Sequence, residues 1–454
     1  MTSTNRPMKG TTVLVYGLAI AGEAVARALV ARGAKVIVAD DAPSEHALAV
    51  ARELGVDLYE KPPEPKLDRL VERCDLVVPS PGIAEDHPLN VSCARAGTPQ
   101  RTEIDLAFEW EQSRPDGPRP MLAVTGTDGK TTTTLMATAM LHASGVRAID
   151  AGNTDTPLVT ALDLDVDAFV VECTSFRLAH TSAFAPAVAA WLNLAPDHLD
   201  WHRSMATYEE AKARIWVLQS PSDVAIGFHD DPIVMARLAK ASARQVTFGA
   251  AGADYRVADG RLVGPRGVIA EVASMKRALP HDLTNALCAA AMVLESGTGT
   301  IDGVAEALAE FAGVPHRIAL VGDIDGVRWY DDSKATTPHA AITAVRAFDH
   351  VVLIAGGRNK GLDLAAMGTS PERMRGVVAI GEAGPIVADV FVDICPVVSA
   401  DSMDGAIEAA ATMAVPGDAV LLSPGCASYD WYSGYGARGD DFARAVRAHI
   451  GRQP

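Results

Sequence analysis

The stretch Met121-Leu122-Ala123-Val124-Thr125-Gly126-Thr127-Asp128-Gly129-Lys130-Thr131 decides the reading of this chain. Met121 to Val124 has the length and apolar character of a buried strand, and Thr132 to Ala143 has helical spacing. A glycine turn between the two presents backbone N–H groups and a helix N-terminus to phosphate. Lys130 adds a cation, and the Thr131 hydroxyl is placed to ligate Mg²⁺. The strict phosphate-loop pattern asks for glycine at position 124, where valine stands, so the motif rests on its strand-loop-helix context. The competing reading is a plain glycine-rich turn.

Outward from this loop the chain alternates strand and helix. Thr12 to Tyr16, a turn at Gly17 to Gly22, a helical pattern from Glu23 to Arg32 and a strand Lys35 to Ala39 ending at Asp40 form a βαβ unit. Asp75 to Val78 reads as a strand opening into Pro79-Ser80-Pro81-Gly82 at the ligand edge of a parallel sheet. Three prolines and a glycine between Ser113 and Pro120 mark a linker, and a second boundary falls near Phe311 to Pro315. Further strands are expected at Ala168 to Val171, Ala187 to Leu192, Val351 to Ala355, Gly376 to Ile380 and Ala419 to Leu422. The expectation is an α/β protein of three domains: a Rossmann-like domain at 1–117, a P-loop ATPase-type domain at 118–314 and a second Rossmann-like domain at 315–454. A length of 454 residues suits several cores rather than one.

Two more segments carry chemistry. Phe169-Val170-Val171-Glu172 puts a carboxylate at the end of an apolar strand, as a metal ligand or as a merely solvated strand end. Asn193 to His202 follows another apolar strand and holds Asp197, His198, Asp200 and His202, a density that suits a site.

In this order the motifs resemble those of the Mur ligase family. Thr125 to Thr131 is similar to its ATP loop, Glu172 to Phe176 to its E-x-[ST]-S-F segment, and Asp197 to Asp200 to its D-H-L-D segment. Asn285 resembles its adenine-contacting residue and Pro315-His316-Arg317 its step into the last domain. Asp331 to Thr336, Leu422 to Asp430 and Arg438-Gly439-Asp440 resemble blocks of the branch that adds glutamate. Departures are the missing middle glycine of the first loop, where Ala19 stands, Asp128 and Asp282 in place of Asn, and Cys173-Thr174 in place of Leu-Ser.

The resemblance implies an ATP- and Mg²⁺-dependent ligase joining glutamate to UDP-N-acetylmuramoyl-L-alanine in the cytoplasm, acting as a monomer. It implies ATP contacts from Gly126, Thr127, Asp128, Gly129, Lys130, Thr131, Thr132, Asn285, Arg317 and Asp332. Gly17, Leu18, Ala19, Ile20, Ala21, Asp40 and Asn153 are assigned to the UDP substrate, and Lys334, Thr336, Lys360, Ser428 and Tyr429 to glutamate. Lys130, His198 and Lys212 are the catalytic assignments. Thr131, Glu172, His198 and Lys212, the last as a carbamate, are the metal set. Without the resemblance, Lys212 reads as a solvated helix lysine.

Other classes fit less well. A dinucleotide dehydrogenase needs close backbone approach where Ala19 puts a methyl group. Asn359-Lys360-Gly361-Leu362-Asp363 has its acid one residue too late for guanine recognition. Folate-type relatives lack a domain like the first βαβ unit. A net charge of −17 with no basic stripe argues against nucleic acid. Six dispersed cysteines suit a reducing compartment, and the polar start, with Glu23 and Arg27 interrupting the first apolar run, argues against a signal peptide or membrane insertion.

Overall fold

Parallel pairing organises all three sheets of the computed structural model, which describes residues 8–198, 201–359 and 361–451. The first sheet has the order Asp57–Glu60, Lys35–Asp40, Thr12–Tyr16, Leu76–Pro79, all parallel. Its second strand runs one residue past the expected end. Helix Ile20–Ala31 begins three residues before the expected start, because the chain turns helical immediately after Ala19.

The central sheet has nine strands. Seven are joined by parallel pairings, with Met121–Thr125 lying between Val188–Trp191 and Ala168–Glu172. All five residues of Met121–Thr125 and of Ala168–Glu172 are buried, as a strand covered on both faces requires, and this is why they read as unbroken apolar runs. Beyond Arg244–Gly249, the strands Tyr255–Ala258, Arg261–Gly264 and Gly267–Glu271 extend the sheet, the last two pairings antiparallel. The sequence reading missed this extension, because its strands are short and half exposed.

These two sheets belong to one compact unit, residues 1–278 with 282–311. Helix Glu103–Gln112 joins them. Asp105, fully buried, accepts hydrogen bonds from the backbone N–H of Ser182, Ala183 and Phe184 at 3.1, 2.8 and 2.9 Å. Glu103 pairs with Arg177 at 2.6 Å and Glu111 with Arg119 at 2.8 Å, all four side chains being buried. The proline-rich stretch is therefore anchored at Arg119.

The second unit, residues 279–281 with 312–454, carries the third sheet. Its order is Ala319–Ile324, Val327–Asp331, Ala419–Leu422, Val351–Gly356, Met374–Ile380, Val397–Ala400, antiparallel only at the first pairing. The loops that follow Val327–Asp331, Val351–Gly356 and Ala419–Leu422 leave the same carboxyl edge, where open α/β sheets bind ligands.

Candidate active site

The ATP-loop residues form the turn between Met121–Thr125 and helix Lys130–Ala143. Gly129 caps that helix at φ +84°, a left-handed conformation, and a Cβ there would run into Oδ1 of Asn285. Glycine at 129 thus lets the loop close on Asn285, whose Oδ1 also accepts the Thr133 hydroxyl at 3.4 Å. Asn193 holds the loop from the other side, its Oδ1 accepting the N–H groups of Thr127 and Asp128, both at 2.9 Å. Thr127 Oγ1 lies 3.1 Å from the Tyr208 hydroxyl. Lys130 Nζ donates to the carbonyls of Gly126 and Thr127 at 2.9 and 2.8 Å. Thr131 and Thr132 occupy the first turn of the helix, among N–H groups left open to a phosphate.

Glu172 sits beside this loop, because its strand pairs Glu172 with Val124. Oε1 accepts Asn153 Nδ2 at 2.9 Å, which places Asn153 on Glu172. Oε2 is buried with no hydrogen-bond partner. A buried carboxylate oxygen with no partner is costly, and a cation supplies what it lacks, so Glu172 fits a Mg²⁺ ligand. His198 takes a positive φ of +54°, lies 3.2 Å from Asp197 and packs edge-on to Phe176 at 4.6 Å. Among the described residues no three His, Cys, Asp or Glu side chains group as a metal cage.

Lys212 is not a solvated helix lysine. It is 1% exposed, donates from Nζ to the Gly126 carbonyl at 2.7 Å and lies 4.5 Å from the Tyr208 ring. Burial first, and then the charge of Lys130, push its ammonium well below the usual lysine range, favouring a neutral amine.

At the first sheet, Gly17 has φ +89°, and Ser80 Oγ donates to its carbonyl at 2.7 Å. Asp40 accepts the Leu18 N–H at 2.7 Å, so it shapes this turn. Ala19, Ile20 and Ala21 continue the turn into the helix, with Ile20 72% exposed at its start.

In the second unit one side chain joins the two blocks assigned to glutamate. Arg438, 1% exposed, donates to Ser333 Oγ and to the Ser333 carbonyl at 2.9 Å each, and to the Cys426 carbonyl at 3.2 Å. A Cβ on the next residue, Gly439, would strike His316 and Asp331, so glycine there allows the helix to approach. Burial pushes the Arg438 guanidinium down to about 10. Removing it in Arg438→Met leaves buried acceptors without charged donors at ~1–3 kcal/mol each, and a loss of about 2–5 kcal/mol is expected. Urea unfolding of the full chain measures it, and an unchanged midpoint would contradict the tie.

Around this tie, Lys334 lies 5.7 Å from the Tyr435 ring, Thr336 is partly buried, Ser428 is 2% exposed and Tyr429 is 59% exposed. Lys360 lies outside the described residues. Asp332 points inward, accepting Ser423 Oγ at 2.7 Å and the Ile318 N–H at 3.2 Å. Burial raises its carboxyl to about 7, with Arg317 opposing. A carboxyl raised on folding favours the protonated native state. The stability it contributes is present below the ordinary carboxylate range and is lost as pH rises through about 7. Asp332→Asn should flatten the fall in melting temperature between pH 4 and 7, and an unaltered slope would refute that source.

Asn193, Tyr208 and Arg438 had no role from sequence. Asn193 carried a signal, an amide at the end of an apolar strand, whereas Ser333, one partner of Arg438, lies 105 residues away in the sequence.

The chain matches the family descriptions "Mur ligase middle domain" over residues 124–293 and "Mur ligase, glutamate ligase domain" over 316–426. It is 44% identical to the UDP-N-acetylmuramoylalanine–D-glutamate ligase of Frankia casuarinae, over 97% of this chain and 95% of that one. The enzyme of the same name from Thermobifida fusca is 38% identical over 98% and 100%. Among solved structures, the MurF ligase of Thermotoga maritima in complex with ADP is similar in fold, with a TM-score of 0.57 at 16% identity over 99% of this chain and 98% of that one. The phosphate-type loop beside a buried strand-end carboxylate, the matched domains and this whole-chain similarity have one consequence: the chain belongs to the Mur ligase family.

Proposed function

We propose that this chain joins D-glutamate to UDP-N-acetylmuramoyl-L-alanine with cleavage of ATP to ADP and phosphate, in peptidoglycan precursor synthesis. The observation that carries the amino-acid assignment is the Arg438 tie. It brings Asp331 to Thr336 and Leu422 to Asp430, blocks resembling those of the glutamate-adding branch, to one edge of one sheet. The names of the whole-chain relatives support the same substrate.

The reaction has two steps. An oxygen of the alanine carboxylate attacks the γ-phosphorus, the bond to the ADP oxygen breaks, and an acyl phosphate forms. The glutamate amine, having lost a proton, then attacks the acyl carbon and phosphate leaves. Phosphate is the better leaving group, since direct amide formation would have to expel oxide. Lys130 and the N–H groups of the Gly126 to Thr132 turn hold the γ-phosphoryl oxygens as their charge redistributes. Glu172, His198, the Thr131 hydroxyl and Lys212 as its carbamate are the residues to hold Mg²⁺. When bound, the ion supplies neutralisation of phosphate charge. His198 is also assigned to catalysis, Asn285 to adenine, and Arg317 and Asp332 to the nucleotide.

The turn Gly17 to Ala21, with Asp40 shaping it, is assigned to the uridine diphosphate end of the substrate, and Asn153 to its far end beside Glu172. The domains proposed are 1–117 for this substrate, 118–314 for ATP and 315–454 for glutamate. Among the described residues no helix is long and apolar enough to cross a membrane. A monomer in the cytoplasm is the proposed state.

Lys334, Thr336, Lys360, Ser428 and Tyr429 offer cations and hydroxyls to the two carboxylates of glutamate. Steady-state kinetics test this assignment. Lys334→Ala and Ser428→Ala should raise the KM for D-glutamate by about tenfold or more, a loss of one charge-assisted contact, and leave the KM for ATP unchanged. Equal increases for all substrates would mean that these side chains only support the domain.

A further inference from the structure

We infer that His202 is a positioning residue that ties the loop after strand Leu76–Pro79 to the Glu172–Phe176 segment, and so sets the acyl substrate in line with the ATP loop. The inference rests on the ligase reading above.

The His202 ring is 1% exposed and hydrogen-bonded at both nitrogens. Nδ1 lies 3.0 Å from Glu85 Oε1 and Nε2 lies 2.9 Å from Ser175 Oγ. A carboxylate only accepts, so Nδ1 carries a proton. In the neutral ring, Nε2 is then the acceptor of the Ser175 hydroxyl. The order serine, histidine, carboxylate is that of an activated nucleophile. Ser175 is 2% exposed, however, and its hydroxyl is engaged by the His202 ring. The chain of hydrogen bonds joins two segments instead.

Each end of this chain leads to a part of the candidate site. On the Glu85 side the loop is built on Ser80, which donates to the Gly17 carbonyl at 2.7 Å and accepts the Ile83 N–H at 3.0 Å. Asn90 holds the same loop through the carbonyls of Ala84 and Glu85 at 3.0 and 3.2 Å. This is the loop next to the turn assigned to the UDP end of the substrate. On the other side, Ser175 lies three residues beyond Glu172, and its neighbour Phe176 packs against both His198 and the stacked His202 ring, at 4.6 and 5.7 Å. The His202 ring also touches Tyr208, at 5.0 Å, whose hydroxyl meets Thr127 of the ATP loop. Covalent connection does not hold Glu85 against Ser175, since 90 residues of chain separate them in the sequence. His202 does.

A misplacement of about 1 Å at the reacting atoms costs on the order of 10² in rate, so a side chain that only sets this distance has a large kinetic effect. The test compares Glu85→Ala, Glu85→Gln, His202→Phe and the double variant Glu85→Ala/His202→Phe in the full chain. His202→Phe and Glu85→Ala should lower kcat/KM for the UDP-linked substrate by about 10²-fold, with the KM for ATP unchanged. Glu85→Gln, whose amide oxygen still accepts from Nδ1, should restore most of the activity. The double variant should be no worse than His202→Phe alone, because both remove the same tie.

Multiplying effects, or equal rises in the KM values of ATP and the UDP-linked substrate, would overturn the assignment. If His202→Phe does not fold, the Glu85→Ala and Glu85→Gln pair decides the question, Glu85 lying nearer the surface. Product formation by the unmodified chain tests the ligase reading separately. The calorimetric Kd of UDP-N-acetylmuramoyl-L-alanine for the two Glu85 variants tests His202 without turnover. Weaker binding by Glu85→Ala alone supports the tie, and equal Kd values reject it.

Discussion

Lys130→Ala should lose ligase activity by a factor of about 10²–10³ while the chain stays folded, because a charged donor aimed at a transferring phosphoryl group acts mainly on the transition state. The Lys130 side chain is only partly buried, and Nζ donates to the Gly126 and Thr127 carbonyls of its own loop. The loop keeps its other supports, Asn193 and the close approach to Asn285. Far-UV circular dichroism and thermal melting should therefore match the unmodified chain, and single-turnover phosphoryl transfer should fall. Near-normal turnover would remove the ATP-loop assignment.

Lys212→Arg should be inactive to a similar degree, for a different reason. The lysine sits buried against the Gly126 carbonyl and the Tyr208 ring, and burial together with Lys130 holds its amine toward the neutral form that captures CO₂. Addition of the amine lone pair to CO₂, with loss of one proton, gives a carbamate, an oxygen anion on a long stem. Such an anion would give the proposed Mg²⁺ site an oxygen ligand beside Glu172, whose buried Oε2 has no hydrogen-bond partner. Arginine keeps a charge of the wrong sign and cannot form the carbamate. Lys212→Ala should also be inactive, and partly rescued by small added carboxylates that occupy the vacated space. ¹³C NMR of the unmodified protein under labelled bicarbonate reads the modification directly. Full activity in Lys212→Arg, or no carbamate resonance at neutral pH, would reject the assignment.

The positions of the core strands and of the ATP loop were legible because both are local. Met121–Thr125, Ala168–Glu172 and Ala419–Leu422 are buried on two faces, which leaves an apolar run in the sequence whatever the neighbours are. Gly129 and Lys130 follow from the needs of one turn and one phosphate. The strands Tyr255–Ala258, Arg261–Gly264 and Gly267–Glu271 escaped because they are four or five residues long and only half buried, so their sequences are mixed in polarity.

Tertiary structure alone decided which side chains meet. Sequence placed His202 in a cluster with His198, and both rings pack on Phe176, yet the His202 nitrogens go to Glu85 and Ser175. Lys212 reads as an exposed helix lysine by composition, and its burial depends on helix Met205–Val217 packing beneath the Gly126 carbonyl. Arg438 reaches Ser333 across 105 residues, and Asp105 caps a segment at 182–184 across 77 or more. Periodicity and turn chemistry act over a few residues and are written in the sequence. A buried charge takes whatever partner the packed sheets and helices bring to it, and that choice exists only once the chain has folded.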